Sequence, residues 1–102
     1  MTLLKRPAFF RDLADCANYI AKDNPEAARR LLAATESTCE ALALQPAMGQ
    51  EEGFRKRAGI RSWRVDGFEN YLVFYRVNPD SVEILRLLHA ARNLPRILRA
   101  KQ

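Results

Sequence analysis

The stretch that decides the fold is IRSWRVDGFENYLVFYRVNPDSVEILRLLH, residues 60–89. It contains three runs with the period of strands, and the middle one, YLVFYRV, is rich in the aromatic and β-branched residues that are typical of strands. Asp-Gly and Asn-Pro-Asp separate these runs, and both are turn sequences. We therefore predict an antiparallel meander of three strands, Ile60–Val65, Tyr71–Val77 and Ser81–His89. The third run is apolar on both faces, as expected of a central strand that is covered on each side.

The residues before the meander have the spacing of two helices. The first begins at Pro7 and ends near Lys22, and its predicted buried residues are Phe10, Leu13, Ala14, Ala17, Ile20 and Ala21. The second begins in DNPEAAR, where Asp23 or Asn24 can cap it and Pro25 suits its first position. Its predicted buried stripe is Ala28, Leu31, Leu32, Thr35, Cys39 and Leu42, and Gln45–Pro46 ends it. A connection of about three residues predicts an antiparallel hairpin.

Together these patterns predict one α+β domain over residues 1–102, with an N-terminal helical hairpin packed on one face of the antiparallel meander. The opening TLLK predicts a short N-terminal strand, and Pro46 to Gly59 is interpreted as a loop. The predicted core between the hairpin and the sheet is Leu31, Leu32, Leu42, Val73, Ile84 and Leu85.

The charge of the chain is unevenly distributed, although its overall composition is ordinary for a folded protein. Residues 1–54 hold six Lys/Arg and eight Asp/Glu, a net of −2, whereas residues 55–102 hold eleven and four, a net of +7. Such a basic half suggests an acidic partner, either nucleic acid or an acidic protein, but it is equally compatible with a well-solvated surface.

Several classes of protein are disfavoured by the residues present. No run approaches the roughly 18 apolar residues that span a bilayer, and the N-terminal residues lack the apolar segment of a signal peptide. We therefore expect a cytoplasmic protein without membrane contact. Cys16 and Cys39 match no metal-binding spacing and fall in helical stretches, so we expect buried free thiols and neither a metal nor another cofactor.

Four segments resemble the RelE/ParE superfamily of type II toxins, and specifically its ParE branch. They are NPEAARRLL in the second helix, GIRSWRV and NYLVFYRV in the meander, and VEILRLLHAARN at the end. The resemblance covers nearly the whole chain from Phe9 to Asn93, in the family's order and spacing. It implies a small cytoplasmic toxin that a cognate ParD-like antitoxin holds inactive in a hetero-oligomeric complex.

The superfamily divides by mechanism, and the resemblance leaves three functions open. ParE-like members are described as poisons of DNA gyrase, whereas RelE-like members are ribosome-dependent endoribonucleases. The nuclease relatives place an arginine one residue into the middle strand, and often a tyrosine after the last strand; here those places hold Leu72 and Ala90. This difference favours a non-enzymatic toxin that binds gyrase. A ribonuclease with a rearranged site and an antitoxin-binding module without toxicity are the alternatives.

The only histidine, His89, ends an apolar strand and stands among arginines. Such a histidine is more often a hydrogen-bonded packing residue than an acid–base catalyst, so we expect no catalytic residue. His89 and Arg61 would be catalytic if the chain were a ribonuclease. The residues expected to bind the target are Arg61, Arg64, Arg86, His89 and Arg92. Those expected to bind the antitoxin are Trp63, Phe74 and Arg76. If Arg86 is buried it needs a partner, for which Glu83 and Asp66 are the candidates; the alternative is that it faces a groove.

Overall fold

The computed structural model describes residues 2–51 and 59–91. The chain order is strand β1 (Thr2–Lys5), helices α1 (Pro7–Ala21) and α2 (Pro25–Leu44), a 3-10 turn (Pro46–Met48), and strands β2 (Gln50–Glu51), β3 (Ile60–Val65), β4 (Phe68–Val77) and β5 (Ser81–His89). The five strands form one sheet in the order β1-β5-β4-β3-β2. The predicted α+β architecture of a helical hairpin on a meander is confirmed.

The strand pairing adds two features to the predicted meander. β3, β4 and β5 pair antiparallel in succession, but β1 joins β5 in parallel, so the sheet is mixed. The predicted N-terminal strand is therefore confirmed. Part of the predicted loop is in fact strand β2, whose Gln50 pairs with Ser62. Two exposed polar residues carry no alternation of apolar and polar side chains, so nothing in the sequence indicated this strand.

The β3–β4 turn is tighter than predicted. β4 begins at Phe68, three residues before the predicted start at Tyr71. Asp66 and Gly67 make the turn by themselves, and Gly67 has a φ of 81°. Glycine adopts this left-handed conformation without the steric cost that a Cβ atom brings.

The helix boundaries follow the predicted signals. Pro7 is the first residue of α1, and Pro25 is the first residue of α2. The side chain of Asn24 caps α2, since its Oδ1 accepts a hydrogen bond of 3.1 Å from the N–H of Ala27. This cap satisfies one of the amides that the first turn of a helix leaves unpaired. Neither described helix is both long and apolar enough to cross a membrane.

The main core lies between the helices and the sheet. Its buried residues are Phe9, Cys16, Leu31, Cys39, Leu42, Val65, Tyr71, Val73, Tyr75, Val82, Ile84 and Leu87. The predicted core positions Leu31, Leu42, Val73 and Ile84 are thus confirmed. Three predicted buried positions are wrong, since Leu32 is 42% exposed, Phe10 is 52% exposed and Ala14 is exposed as well. In α1 the core position belongs to Phe9, which lies about 100° around the helix from its neighbour.

A second apolar cluster lies on the far face of the sheet, opposite the helices. Its buried residues are Ile60, Phe74 and Leu88, and Leu72 and Leu85 pack against them. The assignment of Leu85 to the main core was therefore wrong. The β4–β5 register shifts between Phe74 and Tyr75, which leaves Leu85 as an extra residue in β5. Because β5 supplies residues to both clusters, its prediction as a central strand covered on both faces is confirmed.

Candidate functional site

His89 lies at the end of β5, where it is partly buried. Its Nδ1 accepts a hydrogen bond of 3.2 Å from the backbone N–H of Ala91, and its ring meets the ring of Tyr71 edge-on at 4.9 Å between centroids. The ring therefore helps to hold the chain where it leaves the sheet.

Arg61 contributes to a buried polar network below the 3-10 turn. Its guanidinium donates a hydrogen bond of 2.6 Å to the carbonyl of Gly49. The hydroxyl of Tyr75 donates to the carbonyl of Pro46 at 2.7 Å and accepts from the N–H of Gly49 at 2.8 Å. A Cβ atom on Gly49 would stand 2.4 Å from this hydroxyl, so the close approach requires glycine. Burial raises the pKa of Tyr75, which keeps the phenol protonated.

Arg86 is paired with Asp12, a residue for which the sequence gives no signal. Its Nε and a terminal nitrogen donate to the two carboxylate oxygens of Asp12 in α1, at 2.6 and 3.0 Å. The hydrogen bond to Asp12 raises the pKa of Arg86. Asp12 also accepts a bond of 3.1 Å from the N–H of Leu87. The candidates Glu83 and Asp66 are thus wrong as partners.

Glu83 is engaged elsewhere. Its carboxylate pairs with Arg6 at 2.9 Å and with Arg76 at 3.7 Å. Arg76 and Glu83 are direct partners across β4 and β5, which is a favourable arrangement for opposite charges. This pairing places Arg76, one of the residues expected to bind the antitoxin, in a small cluster of charges on the far face of the sheet.

Trp63 and Phe74 lie on opposite faces of the sheet. Trp63 packs against the main core, whereas Phe74 belongs to the far-face cluster and is 4% exposed. One partner segment cannot contact both side chains from one face. The guanidinium carbon of Arg64 lies 5.0 Å from the centre of the Trp63 ring, within cation–π range. Arg92, the fifth residue expected to bind the target, lies outside the described residues.

Trp63 and Arg64 border a cleft between α2 and the β3–β4 hairpin, here called the α2–β3 cleft. It consists of two adjacent depressions of about 350 and 510 Å³. Residues of α2 between positions 30 and 41 form one wall, and residues of the hairpin between positions 63 and 68 form the other. Ser37 and Asp66 line both depressions, so the two form one continuous surface feature.

Neither Cys16 nor Cys39 forms a disulfide, and both are buried in the main core, as predicted. Burial raises the pKa of Cys39 to about 12, so its thiol is uncharged at neutral pH and a poor nucleophile. Within residues 2–51 and 59–91, no three His, Cys, Asp or Glu side chains are grouped to hold a metal ion.

Comparison with known proteins identifies the family to which this geometry belongs. A family model described as the ParE toxin of the type II toxin-antitoxin system, parDE, matches residues 3–94. The chain belongs to the ParE toxin family. A candidate toxin of Sinorhizobium fredii, Y4kP, is 33% identical over 88 residues, which is 86% of either chain.

The fold of this ParE-type toxin also matches a solved structure. A chain from the chromosomal ParDE toxin–antitoxin system of P. aeruginosa matches it with a TM-score of 0.74. The match covers 87% of this chain and 95% of that chain, at 17% identity. At 17% identity, this similarity shows a shared fold and nothing more. Family membership implies an antitoxin as partner, and it confirms the resemblance that the four sequence segments carried.

Two residues that join distant elements of this ParE-type toxin by hydrogen bonds could not be predicted from the sequence. Asp12 joins α1 to β5, and Tyr75 joins the sheet to the segment that follows α2. Both contacts connect residues far apart in the chain, and neither has a local pattern. The one available signal for Tyr75 was its polar hydroxyl within an otherwise apolar strand, since a buried tyrosine hydroxyl needs a hydrogen-bond partner.

Proposed function

We propose that this ParE-type toxin arrests growth by binding and poisoning DNA gyrase and that it does not cleave RNA. The observation that carries the proposal is the environment of Leu72, which stands where nuclease relatives have an arginine. Leu72 packs with Phe74 and Leu88 in the far-face cluster. Cleavage through the 2′-OH needs a cation at the scissile phosphate, and an apolar side chain among apolar neighbours offers none.

The surroundings of His89 support the same proposal. A general acid or base must have the nitrogen that transfers the proton within reach of the substrate. Nδ1 of His89 already accepts the N–H of Ala91, and one ring edge is packed with Tyr71. Ala90 stands where nuclease relatives often have a tyrosine and supplies no proton. We therefore assign His89 a structural role.

The arginines expected to bind the target differ in how freely they can contact it. Arg61 and Arg86 anchor the fold through Gly49 and Asp12, so they present their charge from fixed positions. Arg64 is exposed and stacks on Trp63. A guanidinium keeps its charge at any physiological pH, so Arg61 and Arg64 can attract an acidic protein surface without any proton transfer, whereas Asp12 largely compensates the charge of Arg86. Gyrase acts on the chromosome, so the proposal implies a cytoplasmic location.

The partner that restrains the toxin is, in this proposal, a cognate ParD-like antitoxin in a hetero-oligomeric complex. Of the three residues expected to bind it, Trp63 and Arg76 are partly exposed and Phe74 is buried. We propose that Trp63 and Arg76 contact the antitoxin from opposite sides of the sheet, and that Phe74 supports Arg76 from within the far-face cluster.

The test is to induce the toxin without antitoxin and to measure two activities in parallel. One assay follows negative supercoiling of a plasmid by purified gyrase, and the other maps mRNA cleavage on translating ribosomes. We expect growth arrest with inhibited supercoiling and uncut mRNA. Cleaved mRNA with normal supercoiling would assign the chain to the ribonucleases. Normal growth together with antitoxin binding would mean that the chain binds an antitoxin but is not toxic.

A further inference from the structure

The α2–β3 cleft is an accessible surface, and Arg64 is the one residue that it shares with the proposed target-binding arginines. Its α2 wall carries small exposed side chains, Ala33, Ser37 and Ala41, so the main chain of a partner can approach the helix closely. Its opposite wall includes the ring of Trp63, a large amphipathic surface of the kind that protein interfaces favour.

The edge of β3 that borders the cleft is only partly covered. β2 pairs with Arg61 and Ser62, and in the described part of the chain its pairing stops there. On this side the residues from Trp63 to Val65 thus have no strand beside them within residues 2–51 and 59–91. An uncovered strand edge offers backbone groups to which a partner can bind.

The charges along the cleft restrict the chemistry of its occupant. Arg30 lines one depression and Arg64 lines the other, while Asp66 lies where the two meet. Arg64 already stacks on Trp63, which limits the entropy that it would lose on binding. The complementary segment has an acidic residue near each end and a hydrogen-bond donor or cation between them.

We propose that the α2–β3 cleft binds a segment of the cognate antitoxin with this charge pattern, acidic–donor–acidic, and with an apolar side chain placed against Trp63. The identity of the partner rests on the function proposed above. The α2 wall from position 30 to position 41 is about 17 Å long, which corresponds to about three turns of a bound helix or five extended residues.

The experiment measures the affinity of the full-length toxin for the protein encoded beside its gene, using purified proteins and calorimetry. Ser37→Trp fills the middle of the cleft from an exposed position, and Arg64→Glu reverses the charge at one end. The matched controls are Ala14→Trp and Arg11→Glu, which introduce the same side chains at exposed positions of α1 outside the cleft. Circular dichroism and thermal midpoints establish that each variant is folded.

We expect both cleft variants to bind at least about tenfold more weakly than the parent, and both controls to bind like the parent. An acidic-to-lysine change in the antitoxin segment should restore binding to Arg64→Glu and weaken binding to the parent. A folded Ser37→Trp variant that binds like the parent would overturn the cleft as the docking site. If Ser37→Trp does not fold, unchanged binding of Arg64→Glu overturns it instead. A parent that does not bind at all would instead refute the proposed antitoxin partnership.

Discussion

Tyr75 shows how one buried hydroxyl can hold a whole segment. It links Pro46 and Gly49, which lie between α2 and β2, to the middle of β4. The ring itself is fully buried in the main core. Tyr75 therefore contributes both apolar packing by its ring and two hydrogen bonds to backbone groups by its hydroxyl. Replacing it with phenylalanine removes the hydrogen bonds and keeps the ring.

Tyr75→Phe should lower the free energy of unfolding by roughly 1–3 kcal/mol, because the Gly49 amide and the Pro46 carbonyl each lose a partner in a buried place. Urea denaturation monitored by circular dichroism measures the change. Tyr19→Phe is the control, since it makes the same change at a residue that is 56% exposed on α1. Equal denaturation midpoints for the parent and Tyr75→Phe would show that this network contributes nothing.

His89→Ala should leave growth arrest largely intact, because the histidine packs on Tyr71 and positions Ala91. Removing a general acid or base typically costs a factor of ~10²–10⁴ in rate, so a catalytic histidine would give a very different result. Growth is measured on induction of the folded variant, together with mRNA cleavage. Simultaneous loss of arrest and of an mRNA cleavage that the parent shows would make His89 catalytic.

At the scale of the elements, α2 presents one buried stripe whose position is set by its packing. Leu31 is fully buried, while its neighbour Leu32 is 42% exposed. Leu31→Ala should cost roughly 2–5 kcal/mol, whereas Leu32→Ala should cost about 1 kcal/mol or less. Chemical denaturation of the two variants gives a matched comparison, since the residue types and the helix are the same. Equal losses would mean that α2 is rotated about its axis.

The junction of α1 with β5 depends on Asp12. β1 ends at Lys5, so the later part of β5 has no β1 residue beside it. There the carboxylate of Asp12 accepts a hydrogen bond from the N–H of Leu87 and pairs with Arg86. Asp12→Ala should lower the free energy of unfolding by about 1–2 kcal/mol, mostly through the unpaired amide, since Arg86 is partly exposed and its ion pair is screened by water.

Differential scanning calorimetry tests this expectation, because a loss of that size lowers the thermal midpoint by several degrees in a domain of about 100 residues. Asp15→Ala is the control, as it removes an exposed carboxylate from the same helix. The role of Asp12 as a link between elements would be refuted if both variants melted at the same temperature.

At the scale of the whole molecule, the uneven charge of the chain should govern the rate at which it associates with its antitoxin. The net of +7 over residues 55–102 and the exposed Arg64 attract an acidic partner over distances that salt screens. Stopped-flow association rates should therefore fall as the salt concentration rises, while dissociation rates change less. Association rates that stay constant from low to high salt would argue against electrostatic attraction.

Much of the fold could be read from local patterns. Pro7, Asn24 and Pro25 marked the helix starts, and Asp66-Gly67 marked a turn, because each acts through its own backbone within a few residues. Strand β2 and the extra residue in β5 could not be read in this way. Gln50 and Glu51 form a strand only because Ser62 and Arg61 lie beside them.

The candidate site was less accessible to sequence reasoning than the fold. Trp63 and Phe74 looked like one binding set because both are aromatic and lie in neighbouring strands. Their register, with Phe74 opposite Ser62 and Trp63 opposite Val73, puts their side chains on different faces. Charge alone marks Arg61, Arg64 and Arg86 as candidates in the sequence. Only the tertiary structure shows their respective partners, Gly49, Trp63 and Asp12.

The sequence by itself determined the order and type of most elements, the helical hairpin on a meander, the buried thiols and the family resemblance. These follow from hydrophobic periodicity and turn residues, which act over a few positions. Only the tertiary structure decided which arginine is anchored to which partner, which face each aromatic side chain occupies, and where the α2–β3 cleft lies. Those properties depend on contacts between residues distant in the chain, such as Asp12 with Arg86, whose geometry is set by packing and register and leaves no local pattern.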